Sequence, residues 1–470
     1  MSEPTTQGPG ALHAAGRVPP PLGRDPNPGL RITLLYWIYD IIWSLALLAT
    51  SPWWLVRCLF DREFCAMVKG RLTLTLPELP PPGERPRVLV HGVSVGEVKA
   101  SQSIVRALEA DYDVVVSAST NTGMQVARQL YPELPVVRFP IDHMLFVSRF
   151  LLRVSPALVV LMELEIWPNF LRKANRRGIP VAILSGRITE KSFQNYKKFG
   201  STLPQFNRIT VFGAQDERYA ERFRNLARSA ERVVVTGNVK VDGLRSGPVP
   251  HDTRFRELQR LAGSAPGQPV LVAGSTHEPE EVWVHGAFLE GAPGARVILV
   301  PRHPERGASV VDALAARGAR AQRLTDLRAG RERPDPQRPL VVDTIGELER
   351  IYGLADLVFV GGSLVPHGGQ NMLEPAAQGC PVLYGPHVDN FAQEAALLED
   401  AGGARRVADA AHLARAVQEL LADPAARDRM AQAGVRAVED QKGATARTLK
   451  VLSERCLVVA GTRRGPAPGP

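Results

Sequence analysis

Several short segments place charged side chains where an apolar run gives way to a helical pattern. His91-Gly92-Val93-Ser94-Val95-Gly96-Glu97 is the first. A small, glycine-containing turn sets the helix start at a sheet's carboxyl edge, where Glu97 can take a proton from an attacking hydroxyl. Ser94-x-x-Glu97 is equally a capping box, which needs no chemistry. Met162-Glu163-Leu164-Glu165-Ile166-Trp167-Pro168-Asn169 puts two glutamates after a buried run. Carboxylates there are costly unless paired, solvated or functional, and Pro168 suits a helix start. Lys240, in Gly237-Asn238-Val239-Lys240-Val241-Asp242, reads on its own as solvated surface. Arg302, in Val300-Pro301-Arg302-His303-Pro304-Glu305-Arg306, is placed to meet a phosphate through a bidentate fork. A solvated loop arginine explains it as well.

The stretch from Leu357 to Phe391 organises the rest. Leu357-Val358-Phe359-Val360 reads as a buried parallel strand. It runs into Gly361-Gly362-Ser363, then Gly368-Gly369. Asn371 opens a helix with Glu374 three residues on, and Cys380 to Tyr384 is the next strand. Glycines let backbone approach a ligand, and a helix N-terminus suits phosphate. Asn371, Met372, Leu373 and Glu374 thus read as a nucleotide cradle, or as an ordinary capped turn. Two further strand ends carry capping-type patterns. They are Ser275-Thr276-His277-Glu278, followed by Pro279 and Glu280-Glu281, and Asp343-Thr344-Ile345-Gly346-Glu347.

The elements that position these segments alternate. Strands are expected at Arg87–Val90, Val114–Ser117, Val136–Phe139, Leu158–Met162, Val181–Leu184, Ile209–Phe212 and Val233–Val235, with helical patterns between most of them. After a Gly/Pro-rich boundary across residues 243–268 the rhythm resumes at Val270–Ala273, Val297–Val300, Leu340–Val342, Leu357–Val360 and Val382–Tyr384. Residues 318–339 read as an exposed loop around one short strand. This is the pattern of an α/β chain with two doubly wound, Rossmann-like domains facing each other across a cleft. The expected division is a disordered arm over 1–31, a membrane-anchor segment over 32–60, an N-terminal domain over 61–245, a C-terminal domain over 246–455 and a disordered tail over 456–470.

The apolar content of 44% in 470 residues supplies full cores, and the net charge of +9 suits anionic membrane or phosphorylated substrates. No nucleic-acid-binding signature is visible. Cys58, Cys65, Cys380 and Cys456 are scattered, which argues against a disulfide scaffold or a zinc site. Ile32 to Phe60 carries an apolar run of bilayer-spanning length up to Pro52, where a break is expected. Tyr36, Trp37, Tyr39, Trp53 and Trp54 suit the membrane interface. Asp40 would be costly in lipid, which favours interfacial insertion over a full span.

Together the motifs resemble those of the bacterial 3-deoxy-D-manno-octulosonic acid (Kdo) transferases, above all in Ser-Val-Gly-Glu, Glu-x-Glu-Ile-Trp-Pro-Asn and Gly-Gly-Ser-Leu-Val-Pro-His-Gly-Gly-Gln-Asn-Met-Leu-Glu-Pro. The match runs in order from about Leu35 to Ala444. Gly92 and Val93 are mild departures, as is Pro279. The resemblance implies a metal-independent inverting GT-B glycosyltransferase that moves Kdo from CMP-Kdo, a substrate rather than a cofactor, onto the lipid A precursor lipid IVA. It implies an acceptor-binding N-terminal domain and a donor-binding C-terminal domain. Glu97 would be the general base, Glu163 and Lys240 would stabilise the transition state, and Glu165 would line the acceptor side. Pro301 and Arg302, the backbone at Ile345, Gly346 and Glu347, and Asn371 to Glu374 would hold CMP. The expected location is the inner membrane, with the catalytic domains on its cytoplasmic face. Another activated sugar on the same fold, a sugar-nucleotide epimerase and a non-catalytic nucleotide-sugar sensor are the alternatives.

Overall fold

The computed structural model describes residues 29–79, 83, 85–199, 205–227 and 229–457; most of the expected arm and tail lie outside them. Two compact units result, residues 1–243 with 443–470, and residues 244–442.

The first unit is built on seven parallel strands: β1 (Arg87–Gly92), β2 (Asp113–Ala118), β3 (Val136–Arg138), β4 (Leu158–Met162), β5 (Val181–Gly186), β6 (Val211–Ala214) and β7 (Val233–Val235). Their order is β3-β2-β1-β4-β5-β6-β7. The strands are β-branched and apolar on both faces because helices cover both faces of the sheet. Val88, Val90 and Val160 pack on one side; Leu89, Val159 and Leu161 pack on the other. The order reverses between β1 and β4, which pair in parallel through Val90↔Val160 and His91↔Leu161. A crevice at the carboxyl ends of such strands is where ligands bind in open α/β sheets.

The second unit repeats the plan with β8 (Val270–Thr276), β9 (Arg296–Pro301), β10 (Gln322–Arg323), β11 (Leu340–Val341), β12 (Leu357–Val360), β13 (Val382–Tyr384) and β14 (Ala404–Arg406). The order β10-β11-β9-β8-β12-β13-β14 places its reversal between β8 and β12.

The units depart from the expected domain limits at their far end. The second stops at Lys442, not 455. The Asp242 carboxylate accepts the backbone N–H groups of Gly443 (2.8 Å), Ala444 (3.3 Å) and Thr445 (2.5 Å). It thereby caps the helix Ala444–Leu452, which packs Ala444, Val451 and Leu452 into the first unit's core.

The helix Leu30–Phe60 also departs from expectation: it continues through Pro52. Proline removes the N–H that would meet the Leu48 carbonyl, and the Ser51 hydroxyl donates to that carbonyl instead (2.7 Å). Asp40 is buried against the first unit rather than facing lipid. Its Oδ1 accepts from Met144 N (3.0 Å) and Asn169 Nδ2 (2.8 Å). Tyr36 is fully buried, with the Arg172 guanidinium stacked on its ring at 4.2 Å. Tyr39 donates to Asp142 (3.1 Å). Asp142 also receives Asn169 N and Phe170 N, yet burial raises its pKa to about 7. The opposite side of the helix leaves Trp37, Ile41, Ile42, Leu45 and Leu48 exposed. It is the one helix, among the described residues, long and apolar enough to cross a membrane.

Candidate active site

In the first unit, β1 turns sharply at Gly92. A Cβ there would stand 3.1 Å from Glu97 Cβ, so glycine lets the helix Val95–Ala100 fold back on the strand end. The capping box forms: Ser94 Oγ accepts from Glu97 N (3.4 Å) and donates to Glu97 Oε1 (2.8 Å). Val93 N–H donates to Glu97 Oε2 (2.8 Å). Capping therefore does not exclude chemistry. A carboxylate has about four acceptor sites, and only these two are filled among the described residues. Burial raises the Glu97 pKa and the negative charge of Glu163 adds to it, against the Val93 and Ser94 bonds and Lys240.

Glu163 follows β4 in a left-handed conformation (φ 59°), a strained state for a side-chain-bearing residue. Its carboxylate meets Lys240 Nζ (2.5 Å) and Arg187 Nε (2.8 Å). Burial pushes its pKa upward, but the two cations outweigh burial and hold it below the usual value. Glu163 thus stays ionised and fixes Lys240. Glu165 is raised to about 7, first by burial and then by the charges of Glu97 and Glu163, although Trp167 Nε1 donates to it (2.7 Å). The fold therefore brings Glu97, Glu163, Glu165 and Lys240 together from β1, β4 and β7.

Lys240 is placed by a polar scaffold absent from the expected site. Asn238 caps its helix by accepting from Lys240 N (3.0 Å). Asn238 in turn accepts from Ser185 Oγ (3.3 Å), and Gln215 holds the Ser185 carbonyl (3.0 Å). Ser185 lies at the end of β5 and Arg187 follows it. The logic that singled out the ends of β1 and β4 applies there too and would have found them. His91, by contrast, is structural. It is fully buried, stacked on Phe139 at 3.9 Å and bonded to Ser117 Oγ (2.9 Å), and burial drops its pKa to about 3.

In the second unit the glycine cradle is arranged differently from expectation. The backbone N–H groups of Gly362, Ser363 and Leu364 all donate to the Glu280 carboxylate (2.6, 2.9 and 2.8 Å), as does His277 N (2.9 Å). Glu280 is fully buried. Those donors are thus already satisfied by protein. Gly361 is required by packing, since a Cβ would lie 2.5 Å from Thr276 Cα. Asn371 Oδ1 accepts from Leu373 N (3.1 Å) and its amide donates to Glu374 (3.0 Å), opening the short helix Leu373–Ala377. Met372 and Leu373 are buried, and the Met372 carbonyl accepts from Ala376 N (3.4 Å).

Pro301 ends β9 and is buried; Arg302 follows it, exposed, its N–H bonded to Thr276 O (3.0 Å). Its guanidinium has no ion pair among the described residues. Beside it His277 stacks on His367 at 4.3 Å and meets His303 edge-on at 5.9 Å. Beyond β11, Ile345 is 88% exposed and Gly346 adopts φ 84°. The Glu347 side chain is tied to Arg254 and to Arg328 (2.9 Å), so it braces this loop.

Two doubly wound parallel sheets, each with polar residues gathered where its strand order reverses, define the GT-B class. A glycosyltransferase from Rickettsia africae has this fold, with TM-score 0.53 and 10% identity over 79% of this chain and 99% of that one. Sequence narrows the class. Residues 67–243 match the family model described as 3-deoxy-D-manno-octulosonic-acid transferase (kdotransferase). The 3-deoxy-D-manno-octulosonic acid transferase of Haemophilus influenzae is 33% identical over 79% of this chain and 87% of that protein. That of Bordetella pertussis is 33% identical over 78% and 87%. The chain belongs to the 3-deoxy-D-manno-octulosonic acid transferase family and is a glycosyltransferase.

Proposed function

We propose that this enzyme transfers Kdo from CMP-Kdo to the lipid A precursor lipid IVA in one inverting displacement. The observation that carries the reading is the set formed by Glu97, Glu163 and Lys240. Glu97 keeps acceptor capacity and a raised pKa, as suits a general base. It takes the proton of the acceptor hydroxyl as the oxygen attacks the anomeric carbon. Glu163 holds Lys240 at 2.5 Å, and the role of that ammonium is to offset the charge that develops as the bond to CMP breaks. Glu165 lines the acceptor side.

On the donor side, Pro301 and Arg302 hold the phosphate and the backbone at Ile345, Gly346 and Glu347 meets cytidine. Asn371 to Glu374 complete the CMP site through main chain and the Glu374 carboxylate. The buried Glu280 makes Arg302 more important, because the Gly362-Ser363 amides are occupied. Lys240 and Arg302 supply cationic charge, and transfer without added divalent metal is part of the proposal. The exposed apolar side of the helix Leu30–Phe60 supports attachment to the inner membrane, with both units on the cytoplasmic side where the CMP-sugar is available.

The test is purified protein with CMP-Kdo and lipid IVA, read by mass spectrometry with and without EDTA. The expected result is acceptor-dependent CMP release and a product heavier by Kdo, unchanged by the chelator. Preferential use of another activated sugar would sink the donor assignment.

A further inference from the structure

A group of arginines without counter-charge lies at the carboxyl edge of the first unit's sheet. Arg71 ends the helix Arg62–Arg71, and its carbonyl accepts from Ile141 N (3.0 Å). The preceding Gly70 is buried against the stem of Arg138; a Cβ there would stand 3.2 Å from both Cβ and Cδ of Arg138. Arg138, the last residue of β3, is held by Ser119 O and Asn121 Oδ1, each at 2.8 Å. Arg71 Nε is buried and has no hydrogen-bond partner among the described residues. Neither has the hydroxyl of Ser119, a residue only 9% exposed. No carboxylate pairs with Arg71, Arg128 or Arg138 among the described residues. Burial, then Arg71 and Arg128, lowers the Arg138 pKa. Like charges gathered in a partly dry place are costly, and a bound anion relieves that cost. The helix Asn121–Leu130 begins at the same turn and presents its positive end there.

Two connections say which anion. Thr120 Oγ1 donates to Val93 O (3.1 Å), and Val93 N–H holds Glu97, so the turn after β2, whose Ser119 and Asn121 hold Arg138, is bonded to the turn that carries the proposed base. Arg71 also belongs to the helix directly after the apolar Leu30–Phe60. A ligand that reaches both carries a hydroxyl to be glycosylated, an acidic group and an apolar tail. We propose that Arg71 and Arg138, with the Ser119 hydroxyl, bind a phosphate group of the lipid acceptor and so select phosphorylated acceptors. This rests on the reading that a lipid A precursor is the acceptor.

The test compares lipid IVA with the same lipid after phosphatase treatment, in detergent micelles, for wild type, Arg71→Gln and Arg138→Gln. Wild type is expected to favour the phosphorylated lipid by roughly 10- to 100-fold in kcat/KM, the scale of a charged hydrogen bond. The variants should convert the two lipids alike, with CMP affinity and melting temperature unchanged and Arg138→Lys partly restored. Equal treatment of both lipids by wild type, or an equal loss on both in the variants, overturns the proposal. So does a defect that appears only on vesicles containing anionic phospholipid and is the same for both acceptors, which assigns the arginines to the bilayer. If wild type transfers to neither lipid, the functional reading fails. Fluorescence anisotropy of labelled lipid then decides the site alone: phosphate-dependent binding lost in Arg71→Gln supports it, and phosphate-independent binding overturns it.

Discussion

Glu97 and Glu280 begin from the same local pattern and end in opposite surroundings. Each lies in the first turn of a helix that follows the strand at which its sheet order reverses. Glu280 accepts four backbone N–H groups, two on each oxygen, and so has no acceptor site left. Glu97 accepts one N–H and one hydroxyl, and it sits near the charges of Glu163 and Lys240. The number of donors aimed at a carboxylate, not its place in the motif, separates the brace Glu280 from Glu97, the proposed base.

The largest break of this contrast is in stability. Glu280→Ala leaves buried N–H groups unpaired and should cost roughly 4 kcal/mol, at about 1 kcal/mol or more for each. Glu97→Ala should cost only about 1 kcal/mol, the worth of a cap. Urea denaturation of both variants checks this, and equal losses would erase the distinction. Activity should reverse the ranking. Glu97→Gln should lower turnover by roughly 100-fold or more, about 2.7 kcal/mol, with CMP affinity intact by calorimetry. Near-normal turnover would return Glu97 to a purely capping role.

Because Glu280 consumes the loop amides, donor affinity should depend on side chains. Arg302→Ala is expected to weaken CMP binding by roughly 1.5–3 kcal/mol; unchanged calorimetric affinity would remove Arg302 from the site. The smallest effect is on pH dependence. A base whose pKa is raised ionises later, so the acidic limb of kcat/KM should lie above the ordinary glutamate value. Glu163→Gln removes a repelling charge and releases Lys240, and both changes favour ionised Glu97. Its lower overall rate should therefore show an acidic limb moved to lower pH, and a limb moved upward would contradict the assignment.

Much of this frame was legible in the sequence because local pattern sufficed. Leu158–Met162, Val233–Val235, Leu357–Val360 and Val382–Tyr384 are continuous apolar runs and form strands with those limits. The strand Ala404–Arg406 was missed because it is polar, follows Gly402-Gly403 and pairs on one side only, with β13. Glu97, Glu163 and Lys240 were found as separate motifs. Their meeting, with Arg187 and Ser185 behind them, depends on strand order that no local pattern contains. Asp40 was misread for a similar reason: Met144 and Asn169, its partners, lie more than a hundred residues away. Glu280 was seen as part of a helix start, but which backbone groups it would meet is decided by the β8–β12 neighbourhood.

The cap formed by Asp242 on Gly443 to Thr445 has a consequence for synthesis on the ribosome. The two points where the chain leaves and rejoins the first unit are tied by one carboxylate, so residues 244–442 form an insertion within a domain. The late-made helix Ala444–Leu452 supplies Ala444, Val451 and Leu452 to a core most of whose residues emerged much earlier. A nascent chain must therefore carry an open-sided sheet while the whole second unit is translated. Slow translation or premature termination before Gly443 should expose that apolar side to chaperones, while the inserted unit, whose sheet is built wholly from residues 270–406, can already be folding.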